Sequence, residues 1–321
     1  MQIIDFNHIK KTAEEIDSVS FYNWVDEALK KKADFVMPPK PRISQADGDY
    51  YNIMPALYED ENIAISKMIG RHSIKRGEKR SVMMGDLMLY EADTGILKAV
   101  MDAEYITTLR TGVVAAHSAL LFAKSDFKVV SLLGLGNIMT VCFKTFIDNL
   151  RASGDDRELT VKLYVYKDQA EKFAKRFENE KNVKFVFSET YESLMEDADI
   201  IMSAVTRATE NFASDNCYKE GVTIIPICTM GFQNCDLFFD RFFTDEIEQI
   251  RGFKYFDHFK ELTNVSDVLL GNKPGRRNDK ERILVYNYGI GIHDLYFAKR
   301  FFDLTNGIEV EYEYCKTKEF I

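Results

Sequence analysis

The chain has 321 residues, enough for two domains that each bury a core. Hydrophobic residues make up 46% and charged residues 29%, with a formal net charge of −9; this is a globular composition, without a basic footprint for nucleic acid or an anionic membrane. Five cysteines, odd in number and without a C-x-x-C pair, argue against a disulfide framework or a zinc site and fit reduced thiols in the cytoplasm.

The opening stretch, MQIIDFNHIKKTAEEID, has early acids and no apolar core, so it does not read as a signal peptide. No run approaches the ~18 apolar residues of a membrane span. From Ala13 to Lys32, Ile16, Val19, Trp24, Ala28 and Leu29 recur at helical spacing and predict one amphipathic helix. Pro38-Pro39-Lys40-Pro41-Arg42 then forces an extended arm. Strands are predicted at 50–57, 62–69, 82–90 and 96–101, the last two joined by a hairpin turn at Asp93-Thr94-Gly95. An alanine-rich helix follows over 106–124. The first part is therefore α+β, antiparallel in character.

From Asp126 the pattern alternates. Strands are predicted at 128–133, 160–166, 183–187, 199–205, 222–228 and 242–244, with helices such as 169–178 and 191–196 between them. Such βαβα alternation predicts a parallel, doubly wound sheet. A final helix is expected over 291–304. The expected boundaries are 1–120 with 290–321 for one domain and 121–289 for the other.

The apolar run Val129–Leu133 leads into Gly134-Leu135-Gly136-Asn137-Ile138-Met139. A buried strand turning sharply into a helix through Gly-x-Gly brings backbone amides to a pyrophosphate at a helix N-terminus. The third glycine of that Rossmann fingerprint is replaced by Met139, which predicts looser helix–strand packing there. Just upstream, Met84-Gly85-Asp86-Leu87-Met88-Leu89-Tyr90-Glu91-Ala92-Asp93-Thr94-Gly95 and Ala99-Val100-Met101-Asp102 lead into Ile106-Thr107-Thr108-Leu109-Arg110-Thr111. This segment resembles the ornithine cyclodeaminase/mu-crystallin family, and the likeness extends more weakly over nearly the whole chain. The resemblance implies a Rossmann-type parallel sheet plus an α+β substrate and dimerisation domain completed by the C-terminal tail. It also implies a homodimer formed through the first domain's sheet.

The candidate cofactor residues are Gly134, Gly136, Asn137, Ile138, Val205, Thr206 and Asn287, with Lys167 and Asp168 at the expected ribose position. An acid there suits NAD and a cation suits the 2′-phosphate of NADP; the chain presents both, so NAD or NADP is open. Arg110 near a helix start is not placed to complement the helix dipole, which points to an anionic partner. The resemblance makes that partner the substrate carboxylate, for which a planar guanidinium fork is suited. Arg42, after the prolines, matches a family arginine in the same role. Lys67, among strand-forming apolar residues, is either an outward charge or a desolvated amine useful for proton transfer. The resemblance favours the second, near the reacting carbon. The family's acid/base aspartate is replaced by Phe232; Asp236, four residues on, is the candidate substitute. Arg276 matches a family Gly-Arg pair. The histidines show no metal-ligand spacing, so no metal is expected.

These residues predict an NAD(P)-dependent oxidoreductase acting at the Cα–N bond of an amino or imino acid. Deaminating cyclisation of the ornithine cyclodeaminase type and a non-catalytic, mu-crystallin-like NADPH-binding protein are the alternatives.

Overall fold

The structure, a computed structural model, describes residues 1–74, 77–206, 208, 210–227 and 238–315. In chain order, β1 (Gln2–Ile4) and α1 (Phe6–Glu14) precede α2 (Ser18–Lys30). The single helix expected over 13–32 is therefore two. Asp17 is the reason: its carboxylate caps α2 by accepting from the Ser20 amide at 2.8 Å, as Asp5 caps α1 through Asn7 and His8. The apolar stripe shifts phase accordingly, and α2 buries Phe21, Val25, Ala28 and Leu29.

Next come β2 (Phe35–Val36), β3 (Arg42–Ser44), β4 (Tyr50–Tyr58), β5 (Ile63–Arg71), β6 (Met83–Glu91), β7 (Leu97–Asp102) and α3 (Ala103–Phe122). The alternating part is β8 (Val129–Leu133), α4 (Asn137–Ala152), β9 (Leu159–Tyr164), α5 (Gln169–Arg176), β10 (Val183–Ser188), α6 (Tyr191–Met195), β11 (Ile200–Ser203) and β12 (Thr223–Pro226). It continues through β13 (Arg241–Thr244), α7 (Ile247–Ile250), β14 (Thr263–Asn264), α8 (Val265–Leu269) and β15 (Ile283–Tyr286). The chain closes with α9 (Gly291–Leu304) and β16 (Ile308–Glu309).

The chain divides into two compact units: residues 1–16, 33–107 and 291–321, and residues 17–32 with 108–290. In the first, one sheet runs β16-β1-β7-β6-β5-β4-β2, with β3 also on β4. Only β1 and β7 pair in parallel. Along β4 and β5 buried and half-buried residues alternate, as a sheet covered on one face requires. Helix α9 supplies that cover, packing on β4, β5 and β6. The other face leaves Met68, Met84 and Met88 exposed by 42%, 42% and 37%.

Asp102, opposite Asp86 at the end of this sheet, is pushed up to about 6 by burial, with Glu104, Asp86 and Asp5 adding like charge. Its carboxylate accepts from the Tyr105 amide at 2.7 Å. Between the unfolded and folded pKa values the native state holds the extra proton, so stability falls as pH rises through about 6. Asp102→Asn keeps an acceptor and removes that penalty. At about 1.4 kcal/mol per pKa unit, discounted for solvent screening of a half-exposed carboxylate, it should gain about 1–2 kcal/mol at pH near 7.5 and nothing near pH 3. Thermal melts of both forms across that range check this; an equal gain at both ends would show that the carboxylate's ionisation is not the cause.

In the second unit the strands order as β10-β9-β8-β11-β12-β15-β13-β14 and pair in parallel. The core strands β8, β11, β12 and β15 are buried nearly throughout, as expected for a sheet with helices on both faces. This is the doubly wound Rossmann-type sheet. The strand of Ile283-Leu284-Val285-Tyr286, absent from the sequence expectation, is an interior member between β12 and β13. Its four apolar residues carry no periodicity that distinguishes a strand from a buried helix turn.

Candidate active site

The nucleotide-facing edge of the second unit is set by two glycines with different jobs. Gly134 follows β8 with φ +78, and a Cβ there would lie 2.4 Å from the Ala204 carbonyl carbon and 2.5 Å from the Val205 amide nitrogen. It lets the chain pass against the end of β11. Gly136 turns the chain, donating its amide to Gly134 O at 2.9 Å, and is the N-cap of α4. Among the described residues no side chain caps that helix, and a Cβ at Gly136 would meet nothing within 4 Å. Asn137 and Ile138 form the first turn, so their amides head a 16-residue helix behind open space. An anionic pyrophosphate fits such an end. The position in the sheet agrees: β9 and β11 flank β8, and the strand order reverses there, at the switch point where dinucleotides bind. Val205 and Thr206 follow β11 on the other side of that switch.

Met139 is fully buried, so the missing third glycine opens no gap, contrary to the expected loose packing. Close helix approach is supplied elsewhere: a Cβ at Gly112 of α3 would sit 2.7 Å from Val141 of α4. Past β9, Lys167 takes a left-handed φ of +54, and Asp168 pairs with Lys172 at 2.6 Å in an exposed setting. Both stand beyond the strand end, with Asp168 held below the usual carboxylate range by Lys172. Asn287 follows β15, buried, with Oδ1 accepting from Ser118 at 3.0 Å and Nδ2 without a hydrogen-bond partner among the described residues.

In the first unit, Lys67 lies on the covered face of β5. It is 0% exposed and its Nζ donates to Asp294 Oδ1 of α9 at 2.6 Å, with Asp294 also 0% exposed. The outward-charge reading of Lys67 is thereby excluded. Asp294 was not anticipated; its signal was a carboxylate inside the apolar run Gly291–Leu304. Arg42 on β3 faces Asn52 of β4, and its Nε donates to Asn52 Oδ1 at 3.2 Å. The Arg42 guanidinium lies 4.1 Å above the Tyr50 ring. Arg42 and Lys67 thus share one face of one sheet.

Arg110 lies on α3 in the second unit and is 6% exposed. It packs on Gly289, whose added Cβ would stand 2.7 Å from an Arg110 terminal nitrogen; φ of +83 independently reserves that position for glycine. The Gly289 amide donates to Asp245 Oδ2 at 2.7 Å, and the Glu246 and Tyr288 amides donate to Oδ1. Asp245, buried after β13, thus fixes the turn against which Arg110 rests; it too went unread in the sequence. Arg276 spends its guanidinium on the Phe122, Gly221, Asn278 and Glu281 carbonyls and the Thr223 hydroxyl, so it is a structural staple. Phe232 and Asp236 lie outside the described residues.

The family model of the ornithine cyclodeaminase/mu-crystallin family matches residues 4–307. The chain belongs to that family. A nodulation efficiency protein of Rhizobium meliloti is 25% identical over 277 residues, covering 84% of each chain. Alanine dehydrogenase of Archaeoglobus fulgidus is 26% identical over 314 residues, covering 90% of this chain and 92% of the relative. An archaeal alanine dehydrogenase dimer solved with NAD superposes with a TM-score of 0.84 at 21% identity, covering 98% of this chain and 99% of that one. This family member therefore shares the whole fold of that enzyme.

Proposed function

We propose that this chain is an NAD(P)-dependent oxidoreductase acting at the Cα–N bond of an amino or imino acid. The observation that carries the reading is the buried Lys67–Asp294 pair on the sheet face that also bears Arg42. Such a pair costs desolvation, and a role in proton handling accounts for its retention. The uncapped turn at Gly136 supports the dinucleotide half, as does the NAD-bound neighbour. When bound, the nicotinamide supplies the hydride acceptor or donor. Residues 1–16, 33–107 and 291–321 take the substrate-binding and dimerisation role, and the other unit the dinucleotide-binding role.

Arg42 and Arg110 hold the substrate carboxylate, each through charge-assisted hydrogen bonds. Lys67 holds a proton at Nζ against Asp294 and polarises or protonates the group at the reacting carbon. Oriented binding supplies much of the rate. Asp236 keeps its proposed acid/base role. Deaminating cyclisation uses the same parts, with the cofactor reduced and then reoxidised, so it would release ammonia without net change in cofactor.

Arg110→Met tests the clamp. Losing charge-assisted bonds worth about 1.5–3 kcal/mol should lower kcat/KM by about ten- to a few hundred-fold. Arg110→Lys should recover only part, because the ammonium lacks the fork. NADH and NADPH affinity, read by fluorescence, should hardly move. A variant that melts markedly earlier yet turns over normally while folded would make Arg110 a structural group instead.

The apolar outer face around Met68, Met84 and Met88 supports a homodimer through the first unit's sheet. Met68→Glu should then give a monomer by sedimentation at micromolar concentration, whereas a wild-type monomer would remove the proposal. The thiols of Cys142 and Cys217, neither in a disulfide, support a cytoplasmic setting, and no described helix is long and apolar enough to cross a membrane.

A further inference from the structure

Resting on that reading, we infer that the substrate carries a second carboxylate, and that Arg71 recognises it. The β-sheet register places Arg71 directly opposite Tyr50, and Ile69 opposite Asn52, which itself faces Arg42. Cross-strand partners share a face, so Arg42, Asn52, Tyr50, Lys67 and Arg71 all belong to the covered face of this sheet. Helix α9 does not reach all of it. Its first residue, Gly291, abuts Pro55, Asp294 meets Lys67, and Lys299 lies 4.0 Å from Glu61. The helix therefore runs from the middle of β4 and β5 toward Tyr58 and Ile63, away from Tyr50 and Arg71.

Beyond its end, Tyr50 has an arginine on each neighbouring strand. Arg42 lies over the Tyr50 ring from β3, and Arg71 neighbours Tyr50 from β5. Arg71 Nε is shielded from solvent and has no hydrogen-bond partner among the described residues. The nearby carboxylate, Asp49, accepts from the Ser73 amide and hydroxyl at 2.8–3.0 Å, and these bonds, with the charges of His72 and Arg71, hold it below the usual carboxylate range. Among the described residues no carboxylate is hydrogen-bonded to Arg42 or Arg71, so an anionic ligand can give both guanidiniums a partner. Arg42 on β3 and Arg71 on β5 stand one row, about 7 Å, apart along the strands and two strands, about 10 Å, apart across them. Their long side chains can close on the two ends of one small dicarboxylic acid. The chemical class is a dicarboxylic amino or imino acid.

The test compares oxaloacetate and 2-oxoglutarate with pyruvate and 2-oxobutyrate, each with ammonia and NADH or NADPH, in wild type and Arg71→Gln. Wild type should favour the dicarboxylic acids, and Arg71→Gln should lower the dicarboxylic-to-monocarboxylic ratio of kcat/KM by about tenfold or more. A monocarboxylic preference in wild type, or an unaltered ratio in the variant, overturns the inference while leaving the oxidoreductase reading intact. Absence of turnover on every acid counts against that reading instead. A second measurement then decides on Arg71: succinate should raise the melting temperature of the cofactor-saturated chain more than butyrate does, and Arg71→Gln should abolish the difference. Equal effects of the two acids on wild type overturn it.

Discussion

Lys67→Met should abolish turnover and lower stability together, and the two losses should be separable. Removing one member of a buried pair leaves the other charge desolvated, which costs about 3–5 kcal/mol. Loss of a positioned proton donor costs about 10²–10⁴ in rate. The second variant, Lys67→Met with Asp294→Leu, replaces the pair with apolar groups and should recover most of the stability, since apolar replacements of buried pairs are often neutral or better. It should recover none of the turnover. A double variant that is both stable and active would show that Lys67 and Asp294, at 2.6 Å and 0% exposure, are packing elements only.

The two glycines of the nucleotide turn should fail in different ways. At Gly136 an added side chain enters open space, so Gly136→Asp should fold with a near-normal melting temperature. Its carboxylate would stand where the pyrophosphate is proposed. Like-charge juxtaposition costs several kcal/mol, so NADH and NADPH affinity should fall about a hundredfold or more. Gly134→Asp should damage the fold first, because its Cβ would lie 2.4 Å from the Ala204 backbone and its φ is +78. Fluorescence titration with each cofactor, alongside melting curves, distinguishes the two. Wild-type cofactor affinity in a folded Gly136→Asp would place the phosphates elsewhere.

The sequence by itself determined the alternation of elements and the identity of the turn. Local signals sufficed: β4 to β7 fall within two residues of their expected ends, and α9 occupies its expected span, because apolar periodicity is a property of the segment. The same locality misled at Asp17, where capping outweighs a continuous helical stripe. It also gave both fingerprint glycines one role. Only tertiary structure separates them, since the backbone that lies against Gly134, at Ala204 and Val205, comes from 70 positions away and nothing lies within 4 Å of a Cβ at Gly136. Lys67 was ambiguous in sequence because strand alternation does not say which face is covered; α9, more than 220 residues on, decides that and brings Asp294 to it. Arg71 had no local signal at all. Its place beside Arg42 follows from β-strand register, which is fixed by pairing across β3, β4 and β5 and not by any one of them.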